Sequence, residues 1–285
     1  MQEEQDARGP VYGFIGLGQM GGPMAAHVPA PIVYDVSPAA VEPLVAGGAR
    51  AASGPAEVAA SADVISVMVR DDAQVDAVFA EMAEALRPGT VLAVHSTIRP
   101  RTAEALAERA RRLGVDVVDA PVSGSVFGAV AGTLGVMVGG SAEAFARVEG
   151  PFSSWSGLVL HVGPVGAGTR AKLARNILQF VGFAAAAEAQ RLAEAAGVSL
   201  RRLGRIVRHS DSVSGGPGSV ILRPTTAPMT PDDPLYDAMR HALALGEKDL
   251  SLAFDLADEL GVDLPLARMA APLLAEALGV PEERS

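Results

Sequence analysis

The stretch Gly13-Phe14-Ile15-Gly16-Leu17-Gly18-Gln19-Met20-Gly21-Gly22-Pro23-Met24 decides the fold of this chain. An apolar run from Val11 to Ile15 leads into G-x-G-x-x-G at Gly16, Gly18 and Gly21, and a helix start follows. In that setting each glycine has a task. The first permits a tight turn, the second lets the backbone approach a pyrophosphate, and the third lets helix and strand pack closely. The helix N-terminus then offers unpaired N–H groups and partial positive charge to phosphates. A chain with 31 glycines produces such spacings by chance. The strand before the motif and the acidic strand end at Asp35 make it specific. Gly16, Leu17, Gly18, Gln19, Met20 and Gly21 therefore read as a dinucleotide-binding loop, with a purely structural glycine turn as the alternative.

Working outward, strands and helices alternate through the first half. Val11–Ile15, Ile32–Val36, Asp63–Val69, Thr90–Ser96, Val115–Asp119, Leu134–Val138 and Leu158–Val162 read as strands. Asp72–Leu86 and Arg101–Leu113 carry helical patterns between them. Such alternation predicts a mostly parallel sheet covered by helices. After Gly163-Pro164-Val165-Gly166-Ala167-Gly168 the texture changes. Residues 169–196 hold no proline and are rich in Ala, Leu, Glu and Arg, with Thr169 placed to cap the start and Gly197 to end the helix. Everything beyond reads as helix and loop, interrupted at Ser210–Pro234 by Gly, Pro, Ser and Thr. The expectation is an α/β Rossmann-type N-terminal domain over residues 11–164, followed by an all-α C-terminal domain over 165–285, with residues 1–10 as a disordered tail.

Bulk properties bound the function. The chain has 285 residues, enough for two domains and a large core, and 49% hydrophobic content. A net charge of −10 argues against nucleic acid or an anionic membrane as main partner. No cysteine is present, which removes disulfides, thiolate catalysis and cysteine-ligated zinc and fits a reducing, cytoplasmic setting. No metal site is read. The acidic, polar opening lacks the basic start and apolar run of a signal peptide.

Asp35 ends the second strand, 19 residues after Gly16. A carboxylate there accepts hydrogen bonds from ribose hydroxyls and repels a 2′-phosphate. No arginine follows in Val36-Ser37-Pro38. This favours NAD over NADP, with NADP kept open. The alternative for Asp35 is a capping carboxylate in a turn.

Six segments in order extend the pattern: Gly13–Met24, Ser96-Thr97-Ile98-Arg99-Pro100, Asp119-Ala120-Pro121-Val122-Ser123-Gly124, Gly128–Gly140, Gly166–Asn176 and Lys248-Asp249. Through them the chain resembles the β-hydroxyacid dehydrogenases, the group containing 3-hydroxyisobutyrate dehydrogenase, over roughly residues 11–275. The resemblance implies hydride transfer between a nicotinamide and a small β-hydroxyacid or its semialdehyde. It places Lys172 at the catalytic lysine position, and a desolvated lysine with lowered proton affinity can exchange the hydroxyl proton. It assigns the substrate's acid group to Ser123 and Gly124, with Asn176, four residues beyond Lys172 and on the same helix face, assisting. It places Val69 and Thr97 near the cofactor and has Lys248 close over it. Relatives pair through the helical domain, so a homodimer or homotetramer is expected. The bland alternatives are an exposed helix lysine at Lys172, a structural turn at Ser123-Gly124 and a surface lysine at Lys248.

Several positions depart from the family pattern. Arg175 stands where asparagine is common, and it either places a cation near the cleft or points to solvent, with solvent slightly favoured. Gly124-Ser125 replaces Gly-Gly, and Val69-Arg70 replaces Leu-Pro. His95 lies between Val94, where relatives carry aspartate, and Ser96; it reads as structural, because Lys172 already fills the proton-transfer role. The span from Gly21 to Asp35 is about four residues short, close to one helical turn, with Pro29 and Pro31 forcing an early exit. An imine reductase or a non-catalytic dinucleotide binder on the same fold are the alternative functions; Lys172, generally lost in both, speaks against them.

Overall fold

The computed structural model describes residues 9–281. Of the expected N-terminal tail, residues 1–8 lie outside the described residues, while Gly9 and Pro10 are exposed and irregular. The chain divides into two compact units, the first ending at Arg175 and the second starting at Asn176.

The first unit is a twisted sheet with helices on both faces. Its opening elements are β1 (Tyr12–Ile15), α1 (Gly21–Ala26), β2 (Ile32–Tyr34), α2 (Pro38–Ala46), β3 (Arg50–Ala51), α3 (Pro55–Ser61), β4 (Val64–Val67), α4 (Asp72–Met82) and β5 (Val91–Val94). Then come α5 (Pro100–Arg111), β6 (Asp116–Asp119), β7 (Val122–Ser123), α6 (Ser125–Ala131), β8 (Leu134–Gly139), α7 (Ala142–Ser153) and β9 (Ser156–Gly163). The strand order is β3-β2-β1-β4-β5-β6-β8-β7, with β9 paired to β8. Strands β1 to β6 are mutually parallel, and β8 runs antiparallel to β6 and β7. The order reverses at β1, between β2 and β4, so the loop after β1 opens at the C-terminal sheet edge where ligands bind in such folds.

Side chains alternate between two cores. Phe14, Val33, Val64, Ala93 and Val118 point to one face with Phe152 and Trp155. Ile15, Ile32, Ile65, Leu92 and Val117 point to the other with Phe79 and Leu106. Both faces are covered, which is why these strands read as nearly continuous apolar runs. Each of the Val, Leu, Ile and Phe side chains among them stabilises the fold by about 1.5–3 kcal/mol on full burial.

The seven expected strands are present; the first five are trimmed at one or both ends, while β8 runs one residue further, to Gly139, and β9 is longer at both ends, Ser156–Gly163. The two-residue strands β3 and β7 are additions to the sequence reading. Helix α1 has six residues and ends at Ala26, before Pro29 and Pro31.

Helix α8 (Ala167–Ala195) has 29 residues, about 43 Å at about 1.5 Å per residue. It starts at Ala167, which corrects the expected cap at Thr169: that residue lies inside the first turn, and the acceptor at this helix start is the Asp119 carboxylate. Gly197, at φ +72°, ends the helix as expected. In the second unit follow α9 (Leu200–Ser214), a 3-10 turn (Gly216–Val220), α10 (Tyr236–Leu260), α11 (Pro265–Ala270), a 3-10 turn (Ala271–Leu273) and α12 (Leu274–Ala277). The interruption expected from Ser210 begins at Gly215 instead, because α9 continues through the polar run to a left-handed glycine. Glu188 of α8 is buried and accepts the N–H groups of Leu266 and Ala267, fixing the start of α11. Among the described residues no helix is long and apolar enough to cross a membrane.

Candidate active site

The loop after β1 adopts the conformation its glycines require. Gly16 sits at φ +89°, and a Cβ there would strike the carbonyl of Met68 at the end of β4. Gly16 N–H donates to Tyr34 O at 3.0 Å, tying the turn to the end of β2. Around Gly18 the space a side chain would fill is open. Leu17 is buried beneath the loop, Gly18 and Gln19 are exposed and Met20 is half-buried. Gly21 opens α1 against the Gly16 carbonyl.

Asp35 is held at the adjacent strand end by two backbone donors. Leu17 N–H reaches Oδ2 at 2.7 Å and Ser37 N–H reaches Oδ1 at 2.8 Å. Each oxygen retains lone-pair capacity for a ligand hydroxyl. Beside it lies a cavity of about 570 Å³ with largely apolar walls, including Pro38, Val41, Val45, Ala51 and Ala52. Val69 N–H donates to Ser96 Oγ at 2.9 Å, joining the ends of β4 and β5, and Thr97 next to it is exposed. The structure thus gathers Gly16–Gly21, Asp35, Val69 and Thr97 on one sheet edge. An open glycine cradle, a fixed carboxylate and an apolar bed fit pyrophosphate, ribose and adenine in turn.

Further along the same unit, Lys172 projects from the second turn of α8 and donates from Nζ to Val122 O at 2.6 Å. Burial pulls its ammonium below the ordinary lysine range, and the nearby Arg175 guanidinium adds to this. Val122 leads into Ser123, half-buried, and Gly124, exposed at φ +135°. Lys172 is therefore hydrogen-bonded to the residue immediately before the Ser123-Gly124 segment. Asn176 follows Lys172 by one helical turn on α8, half-buried, at the start of the second unit. Lys248 lies on α10 in that unit, exposed, with Nζ 3.1 Å from Asp249 Oδ1.

Asp119, at the end of β6, is central to this geometry. It is fully buried and accepts Gly166 N–H at 2.7 Å and Thr169 N–H at 2.6 Å. Burial raises its proton affinity, and those two bonds pull it back. A Cβ on Gly168 would strike the carbonyls of Asp119 and Met137, so the helix start packs against the strand ends. The available sequence signal was an aspartate at a strand end, with nothing local to name its partners 47 and 50 residues away.

His95 is buried at 1% exposure. Its Nδ1 lies 2.7 Å from Ala120 O and its Nε2 3.0 Å from Ser66 Oγ. A carbonyl only accepts, so Nδ1 carries the proton and Nε2 accepts from Ser66. Phe152 and Trp155 meet the ring edge-on at 5.1 and 5.2 Å. Desolvation lowers its pKa to about 4. A neutral, sealed imidazole has no access to a substrate proton.

Residues 11–163 match the NAD binding domain of 6-phosphogluconate dehydrogenase. Residues 166–283 match the domain described as NAD-binding of NADP-dependent 3-hydroxyisobutyrate dehydrogenase. The chain belongs to the β-hydroxyacid dehydrogenase family. It is an oxidoreductase whose first unit is an NAD-binding domain. An uncharacterized oxidoreductase of Mycobacterium tuberculosis is 53% identical over 279 residues, covering 95% of this chain and 94% of the relative. The NAD-dependent L-serine dehydrogenase of Pseudomonas aeruginosa is 35% identical over 269 residues, covering 91% and 89%. A crystal structure of an oxidoreductase from Mycobacterium avium superposes with a TM-score of 0.92 at 47% identity, covering 96% of this chain and all of that one. The β-hydroxyacid dehydrogenase fold expected from the six segments is thus the fold of this chain.

Proposed function

We propose that this dehydrogenase moves a hydride between NAD and a small β-hydroxyacid, or its semialdehyde, with Lys172 exchanging the hydroxyl proton. The observation that carries the reading is the 2.6 Å bond from Lys172 Nζ to Val122 O beside Ser123-Gly124. It holds a lysine of depressed proton affinity at the start of a segment rich in neutral donors. The relative described as an L-serine dehydrogenase acts on a small hydroxyacid by its name, which supports the same substrate class.

The residues divide the work as follows. Gly16–Gly21 would hold the cofactor's pyrophosphate, Asp35 its adenosine ribose, and Val69 and Thr97 its nicotinamide half. When bound, the nicotinamide supplies the acceptor or donor for hydride. Ser123 and Gly124 hold the substrate carboxylate, and Asn176 orients the reacting oxygen. In oxidation, neutral Lys172 takes the hydroxyl proton as the carbon–hydrogen bond breaks. In reduction, its ammonium returns that proton to the carbonyl oxygen. Proton transfer of this kind contributes about 10²–10⁴ in rate. Asp35, without a following arginine, favours NAD over NADP.

The second unit carries many exposed apolar side chains, among them Ile177, Phe180, Phe183 and Ile206, and we propose that it pairs with a second copy. A cytoplasmic setting fits a chain without cysteine. The test of the function is a screen of small hydroxyacids with NAD and NADP, followed at the absorbance of reduced nicotinamide. Turnover of a β-hydroxyacid supports the reading, and turnover of cyclic imines alone, with NADPH, overturns it.

A further inference from the structure

Arg175 is three residues beyond Lys172 on α8. On this helix Gly168, Ala171, Lys172, Arg175, Asn176 and Gln179 form the less exposed stripe, whereas Arg170, Leu173, Ala174, Ile177 and Leu178 are exposed. Residues i and i+3 on such a stripe are neighbours. The guanidinium therefore lies on the lysine's side of the helix, against the solvent-facing placement slightly favoured from sequence.

Charge along this helix is one-sided. From Ala167 to Ala187 there are three cations, Arg170, Lys172 and Arg175, and no acidic residue. Arg170 is satisfied by Glu104, 2.6 Å away. Arg175 has no hydrogen-bond or ion-pair partner among the described residues. It nonetheless sits close enough to Lys172 to lower that group's hold on its proton. A half-buried, unpaired guanidinium next to a second cation is costly unless an anion joins it. Its planar fork suits a carboxylate in bidentate geometry.

The Ser123-Gly124 segment already offers a neutral place for one acid group. From this we infer that Arg175 receives a second carboxylate, so that the preferred substrate is a small hydroxy diacid whose hydroxyl-bearing carbon lies between the two acid groups. The inference rests on the reading of Lys172 and Ser123-Gly124 as the reacting site and adds to it the charge and length of the substrate.

The experiment compares three substrates with the intact enzyme and NAD: a β-hydroxy monoacid, the hydroxy diacid of matching chain length, and that diacid with its distal carboxylate converted to the neutral amide. Wild-type kcat/KM for the diacid is expected to exceed that for the amide by about tenfold or more, the scale of one well-placed ion pair. Arg175→Gln brings that ratio to near unity, while Arg175→Lys retains part of it. Because a cation leaves the vicinity of Lys172, the pH limb of oxidation also moves upward in Arg175→Gln. A wild-type ratio near one overturns the inference without recourse to any variant, as does a ratio that survives in Arg175→Gln. Failure of the underlying function is separately visible, since none of the three acids then shows Lys172-dependent turnover.

Discussion

The carboxylate of Asp119 accepts the backbone N–H of Thr169 at 2.6 Å, so the end of β6 holds the first turn of α8. With Gly166 N–H on its other oxygen, this buried group anchors the helix that carries Lys172 one turn later. Asp119→Asn turns an amide N–H₂ against one of two backbone donors. An unsatisfied buried donor costs about 1–3 kcal/mol. The variant is expected to melt at lower temperature and to lose more than about tenfold in kcat, with NAD affinity little changed, because the Gly16–Gly21 loop and Asp35 do not depend on α8. Nucleotide titration alongside turnover checks this; unchanged kcat in a folded variant would show that α8 is positioned without the clamp.

In the proposed reading, cofactor preference rests on Asp35. NAD is expected to bind about tenfold or more tightly than NADP, a difference of about 1.4 kcal/mol. Asp35→Ser reduces the difference by removing the charge that faces a 2′-phosphate, and it weakens both nucleotides because Leu17 N–H and Ser37 N–H lose their acceptors. Titrating both nucleotides against both proteins measures it. Equal affinities in the wild type would show that another cation, such as Arg70, outweighs Asp35.

Acid sensitivity follows from His95. Its folded pKa of about 4 lies below the ordinary 6.5, so the unfolded chain binds the extra proton first as pH falls. The contribution is complete above pH 6.5 and is lost between 6.5 and about 4, to a total of about 3 kcal/mol. Asp119, with raised proton affinity, acts in the opposite sense at the lower end of that window, while Glu57 and Asp72, with lowered affinity, add losses that begin at that lower end and continue below it. Denaturant midpoints measured from pH 7 to pH 4 should fall with a slope near one proton, and His95→Asn, though less stable at pH 7, should flatten that slope.

Pairing through the helical unit is the expected state in solution. Phe180 and Phe183 are about 60% exposed, with their rings 5.9 Å apart edge to face, and α9 has no buried residue. Contiguous exposed apolar surface of this kind is characteristic of protein–protein interfaces. Light scattering at micromolar concentration should give a dimer or tetramer, and Phe180→Glu should shift it toward monomer. A monomeric wild type contradicts the expectation.

How much of this was legible in the sequence depended on the range of the signal. Gly16 could be read because a tight turn after an apolar strand demands a glycine, and the demand is local. The strands showed for the same reason: Phe14 and Ile15 or Ile32 and Val33 bury on opposite faces, leaving continuous apolar runs. β3 and β7, at two residues each, are too short to carry a period. Thr169 looked like a cap because residue type was the only local clue, whereas the true acceptor, Asp119, lies on another strand. Likewise the partner of Lys172 is a backbone carbonyl, which no side-chain pattern announces. The place of Arg175 on the Lys172 side of α8 was countable from their spacing of three.

The central claim is that Lys172 exchanges the hydroxyl proton, and the most direct measurement is kcat of Lys172→Ala on the best hydroxyacid, with NAD affinity and melting temperature recorded on the same preparation. A loss of about 10²–10⁴ in kcat with folding and NAD binding nearly intact is predicted. Lys172→Arg, which keeps the charge but does not readily release a proton, should be similarly impaired. Near-normal kcat in folded Lys172→Ala, or recovery in Lys172→Arg, would contradict the account and move the proton to another group.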